Sequence, residues 1–128
     1  MSLLVSFVVK PYHGQVGMGD PETHDYPQWE TGEELAVAVP QFIAVGTRGD
    51  LEGDVAVEVW SGELGRHDVK LRSVFEGELI LSGEHAVVGS VIGNDLHPVS
   101  LSCGRHKVAA FTSAEGELPD SVYFLVVD

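Results

Sequence analysis

Cysteine is nearly missing from these 128 residues: Cys103 stands alone. One thiol cannot close an intramolecular disulfide, so the chain is not a small scaffold held together by bridges. Cys103 reads as a buried, unreactive thiol, because free cysteine packs as a small hydrophobe. A catalytic thiolate would need a base beside it, and His106, three residues on, would face the other way on an alternating strand. Positive charge is also scarce. Seven Lys and Arg stand against twenty Asp and Glu, a formal net charge of −13, and the lysines are only Lys10, Lys70 and Lys107. Direct nucleic-acid binding is disfavoured, since it needs a basic footprint. Long apolar runs are absent too. The first ten residues hold an apolar stretch of about seven, with no preceding basic residue and no small-residue cleavage site, too short for a signal core or membrane span. That stretch reads as a first strand, and the expected location is the cytoplasm. Sustained helical periodicity and internal repeats are lacking as well.

What the sequence does have is alternation. In Pro98–Ser113, Leu101 precedes a turn at Gly104, and His106, Val108 and Ala110 then fall on every second residue. That is the signature of a half-buried strand. Val55, Val57 and Val59 alternate with Ala56, Glu58 and Trp60, which places the valines inward. Further strands are expected at Leu3–Lys10, Leu35–Val39, Phe42–Thr47, Val69–Phe75, Leu79–Leu81, Ala86–Ile92 and Val122–Val127. Gly77 reads as a hairpin turn, with Lys70 and Arg72 projecting from one face of the strand before it. Strand one is apolar on both faces (Val5, Phe7 and Val9; Leu4 and Val8), which predicts a central or covered position. Prolines and glycines from Pro11 to Glu34 predict one long loop. With 44% hydrophobic residues the chain can fill a core. The expectation is a single all-β domain over residues 1–128. It is an antiparallel sandwich, Greek-key or jelly-roll-like, of about eight to nine strands.

No built-in reaction chemistry emerges. The six histidines form no His-x-His or His-x-x-x-His pair, so a structural metal site is not indicated. Only His13, His24 and Asp25, together in the 11–34 loop, offer an alternative, a metal-dependent enzyme with a carboxylate–histidine site. No Gly-x-Ser-x-Gly elbow is present. Gly-Met-Gly at 17–19 lacks the lysine that a phosphate loop requires. Glu76 and Glu78 flank Gly77, and Glu115 and Glu117 flank Gly116, each reading as a solvated turn tip rather than an acid–base pair. His106 is expected to be half-buried, with one ring nitrogen bonded to a backbone carbonyl.

Taken in order, Ser6-Phe7-Val8-Val9, Gln28-Trp29-Glu30, Val55–Val59, the Leu101-x-x-Gly104-x-His106-x-Val108 corner and Ser121-Val122-Tyr123-Phe124-Leu125 resemble the competence protein J family. These are small inhibitors of a nuclease that acts on DNA entering the cell. Related small bacterial β-sandwich proteins of unassigned role share the same features. His106 departs from the pattern, standing where a tyrosine is usual. The resemblance implies a non-catalytic inhibitor or immunity-type protein that docks on a basic protein partner such as a nuclease. No cofactor is implied, and the oligomeric state is left open. The surplus negative charge has two readings, a solubilising acidic surface or an acidic face suited to such a partner. The binding residues expected are Asp20, Glu22, Asp25 and Glu30 on the loop, and Glu115, Glu117 and Asp120 near the last turn. Trp29 or Trp60 is the expected aromatic anchor. The other reading of the aromatics is a small-ligand sandwich, with Trp29, Trp60 and Tyr12 as a stacking platform.

Overall fold

The computed structural model describes residues 2–63, 71–113 and 118–127. Regular structure there is strand, apart from one 3-10 turn at Tyr12–Gly14. The strands are β1 (Ser2–Val9), β2 (Gln15–Gly19), β3 (Ala36–Val39), β4 (Phe42–Gly46) and β5 (Val55–Gly62). They continue with β6 (Leu71–Leu81), β7 (His85–Ser90), β8 (Asp95–Ser100), β9 (Gly104–Ser113) and β10 (Ser121–Val127). Two five-stranded sheets form, in the orders β1-β5-β10-β9-β6 and β3-β4-β2-β7-β8. Among the described residues no helix is long and apolar enough to cross a membrane.

The all-β expectation holds, with ten strands among the described residues rather than about eight to nine. The antiparallel expectation needs one correction, because β10 pairs with β5 in parallel. One hydrophobic cluster fills the space between the sheets. Val55, Val57, Val59, Val108, Val122 and Phe124 come from the first sheet; Val16, Met18, Ile43, Val45 and Val88 come from the second. The two-residue period of each strand sends these side chains to one face. At one open side, Phe7 of β1 stacks on His97 of β8, with centroids 3.8 Å apart and planes 15° from parallel. At the other, the Ile80 amide donates to the Pro40 carbonyl (2.8 Å), tying β6 to the β3–β4 turn.

Several expectations fail for identifiable reasons. Strand β1 is neither central nor covered. It is an edge strand, and Leu4 and Val8 are 40% and 59% exposed. The segment 11–34 is not one loop, since β2 runs through it and lies at the centre of its sheet. Gly17 and Gly19 erased the alternation that Val16 and Met18 would otherwise have shown. Gly77 makes no hairpin, and β6 passes through it as one eleven-residue strand with an irregularity between Ser73 and Phe75. The Phe75 ring lies over Gly77, where a Cβ would come within 2.7 Å of Cζ. Glu76 and Glu78 are therefore strand residues, not a turn tip. They pair with Lys107 (3.4 Å) and Arg105 (3.0 Å). Cys103 is exposed rather than buried, because it sits between β8 and β9 instead of on a strand. Arg72 is exposed, while its expected neighbour Lys70 lies outside the described residues. The corner residue behaves as its spacing anticipates: half-buried His106 donates from Nε2 to the Ser102 carbonyl (2.7 Å).

Candidate functional site

The outer face of the second sheet carries a row of very small residues. Cross-strand register aligns Val37 with Ala44, Ala44 with Gly17, and Gly17 with Gly89. Three neighbouring strands thus carry almost no side chain of their own at one level, which leaves room for the Phe42 ring over Gly17. Gly89 is required by its backbone, with φ +140°, and a Cβ would run into the Asp95 carbonyl oxygen. Gly17 and Gly19 are required by Phe42, whose ring lies directly on them.

Aromatic rings wall this region. The chain from Asp20 to Leu35 leaves β2 at one end of the sheet, crosses its outer face and returns to β3. Asp20 anchors the departure. Its carboxylate accepts from the Glu22 amide (3.0 Å), Gln41 Nε2 (3.1 Å) and the Ser82 amide (2.8 Å). Burial would push that carboxyl up, but hydrogen bonds from Glu22 and Ser82, with the nearby His85, hold it below its ordinary value. Midway, Tyr26 packs edge-on against Phe42, with centroids 5.2 Å apart. Trp29 donates from Nε1 to Gln15 Oε1 (3.2 Å), which fixes the indole. Glu34 then holds the last bend, accepting from the Glu30 and Thr31 amides (2.7 and 3.0 Å) and from the Thr31 hydroxyl. The Thr31 hydroxyl, then the Glu30 amide, depress the Glu34 carboxyl to about 2.

Between these walls lies a cavity of about 210 Å³ over Gly17, Ala44 and Gly89, lined by Tyr12, Tyr26, Trp29 and Phe42. Gln15 and Ser90 add polar atoms, and Ile92 stands at the rim, 53% exposed. A second, more polar cavity of about 500 Å³ opens at the sandwich end. Glu33, Glu34, Arg72, Thr112, Leu118 and Trp29 contribute to its walls.

The sequence-derived site residues do not gather in one place. Trp29 and Tyr12 share the groove, but Trp60 is on the other sheet. There it donates to Glu58 (2.8 Å) beside the Ala109, Phe111 and Leu125 cluster. The three-ring platform is therefore not assembled. Tyr26 and Phe42 take the place of Trp60, a partnership that only the folded path of 20–35 creates. Asp20 is 2% exposed and its oxygens are engaged internally, so it shapes the loop rather than meeting solvent. Glu22, Asp25 and Glu30 are exposed on the segment between β2 and β3. Asp120 is exposed, its Oδ1 accepting from the Ser113 hydroxyl (3.0 Å). Glu115 and Glu117 lie outside the described residues. Among the described residues no three His, Cys, Asp or Glu side chains gather as metal ligands, so His13, His24 and Asp25 form no such site.

No family model matches the sequence, and no curated protein does. Among solved structures, the chain matches ComJ of Bacillus subtilis, an inhibitor of the DNA-degrading activity of NucA. The TM-score is 0.75 at 11% identity, covering 98% of this chain and 96% of ComJ. At that identity the agreement is one of fold, and it runs almost end to end.

Proposed function

We propose that the protein is a non-catalytic inhibitor that docks on a basic protein, such as a nuclease, and occludes its substrate-binding surface. The observation that carries this reading is the near end-to-end match to a nuclease inhibitor at TM-score 0.75. Composition points the same way: a formal net charge of −13 suits a partner whose lysines and arginines otherwise hold phosphate. Glu22, Asp25, Glu30 and Asp120 are the exposed carboxylates offered to those cations, with Glu115 and Glu117 joining them from the sequence. Trp29 is the aromatic anchor. Long-range attraction steers the encounter and raises the association rate, and screening by salt weakens it.

The test is a DNA-degradation assay. NucA, and any basic nuclease retained on the immobilised protein at low salt, is titrated with the soluble chain. Stoichiometric loss of degradation that fades with rising ionic strength is the expected result. If every such nuclease keeps full activity beside excess protein, the reading is wrong.

A further inference from the structure

We propose that the groove over Gly17, Ala44 and Gly89 seats an arginine side chain of the basic partner. This rests on the inhibitor reading and specifies its central contact. The chemistry of the lining favours a planar cation. Tyr12, Tyr26, Trp29 and Phe42 bring π systems around one cavity, and among the described residues no Lys, Arg or His lines it. Cations are attracted to aromatic faces, and the attraction grows as water is excluded. Ala44 and Gly89 leave room for a flat group beside the Phe42 ring, which itself lies on Gly17. The polar atoms on offer suit a donor. Gln15 Oε1 already accepts from Trp29 and has a second lone pair, and the Ser90 hydroxyl accepts from the Gly93 amide (3.3 Å). A guanidinium carries five N–H donors and no acceptor, which matches such a site. Charge completes the case. Asp25 adjoins Tyr26 and Glu30 adjoins Trp29 in the chain, and both carboxylates are exposed. The rings are held before any partner arrives, Trp29 by Gln15 and Tyr26 by Phe42. Little ordering cost therefore remains at binding.

The experiment follows the Trp29 indole and the Gly17 and Gly89 amides by NMR. Acetyl-arginine amide is titrated in, then its neutral isostere acetyl-citrulline amide. Saturable shifts at all three positions are expected, with the citrulline probe weaker by about tenfold. Tyr26→Leu removes one exposed wall and weakens the arginine response. Ile92→Lys places a like charge at the exposed rim and abolishes it, while both variants keep the parent amide spectrum elsewhere. Equal responses to the two probes would mean an apolar ligand site and overturn the proposal. So would shifts confined to Asp25 and Glu30, or no shift at all. The same variants enter the nuclease assay. If Ile92→Lys loses arginine binding but inhibits as before, the groove is not the docking seat although the inhibitor reading stands. If arginine binds in the groove but no nuclease is inhibited, the inhibitor reading fails while the cation site remains.

Discussion

The ring of Phe42 lies on the bare backbone of Gly17, its Cε1 and Cζ filling the space that a Cβ there would need. The same ring covers Gly19, where a Cβ would also come within 2.6 Å of the Gln41 carbonyl oxygen. At Gly17 a methyl meets mainly a side chain that can tilt toward the groove. At Gly19 it meets backbone as well. Gly19→Ala is therefore expected to destabilise the fold by about 2–3 kcal/mol, and Gly17→Ala by about 1 kcal/mol. Urea unfolding measures both. Adding Phe42→Ala to Gly17→Ala removes the clash, so the double variant loses less than the sum of the two single changes.

Asp20 makes the fold sensitive to acid. Its carboxyl is held below its ordinary value, so the charged form is preferred in the folded state. Its contribution is complete above the ordinary carboxylate range and is lost as pH falls through the lowered folded value. Asp20→Asn turns one acceptor into a donor facing the Ser82 and Gln41 donors. It is expected to cost about 1–3 kcal/mol at neutral pH. Thermal melts between neutral pH and pH 2 should show the gap between parent and variant closing as the medium acidifies.

Glu34 gives a local readout at the far end of the crossing segment. Its side-chain carboxyl should titrate near 2 by NMR, with the Glu30 and Thr31 amides moving in step. Thr31→Ala removes the hydroxyl, which is the largest cause of the depression, and the titration is expected to move up toward 4.5.

Thr112 is 1% exposed, and its hydroxyl has no hydrogen-bond partner among the described residues. Replacing it with valine keeps the branched shape and removes a desolvated polar atom. Thr112→Val is expected to leave stability unchanged or raise it by up to about 1 kcal/mol. A loss above about 1 kcal/mol in denaturant unfolding would show that the hydroxyl is satisfied in solution.

Much of the fold is readable along the chain because alternation survives wherever both faces carry side chains. Val55, Val57 and Val59 against Glu58 and Trp60 is the clearest case, and all three valines are fully buried. Strand β2 escaped because its outward residues are glycines, and their reason for being glycine is a ring that arrives from β4. Strand β1 misled in the opposite sense. Leu4 and Val8 are apolar yet exposed, and hydrophobicity alone does not say which strand becomes an edge. The groove was half legible. Tyr12 and Trp29 stand out as aromatics in an irregular stretch. The floor of Gly17, Ala44 and Gly89 exists only through pairing register, which joins residues up to seventy-two positions apart.

Strand β10 lies between β5 and β9 in the middle of its sheet, although it is the last of the ten in chain order. A nascent chain on the ribosome cannot complete that sheet until residues 121–127 have emerged. Until then β5 shows an unpaired edge rich in valine to solvent. Assembly of this sheet must therefore wait for late synthesis. The long-range pairing also slows the final step, so a chaperone able to shield β5 should raise the yield of folded protein.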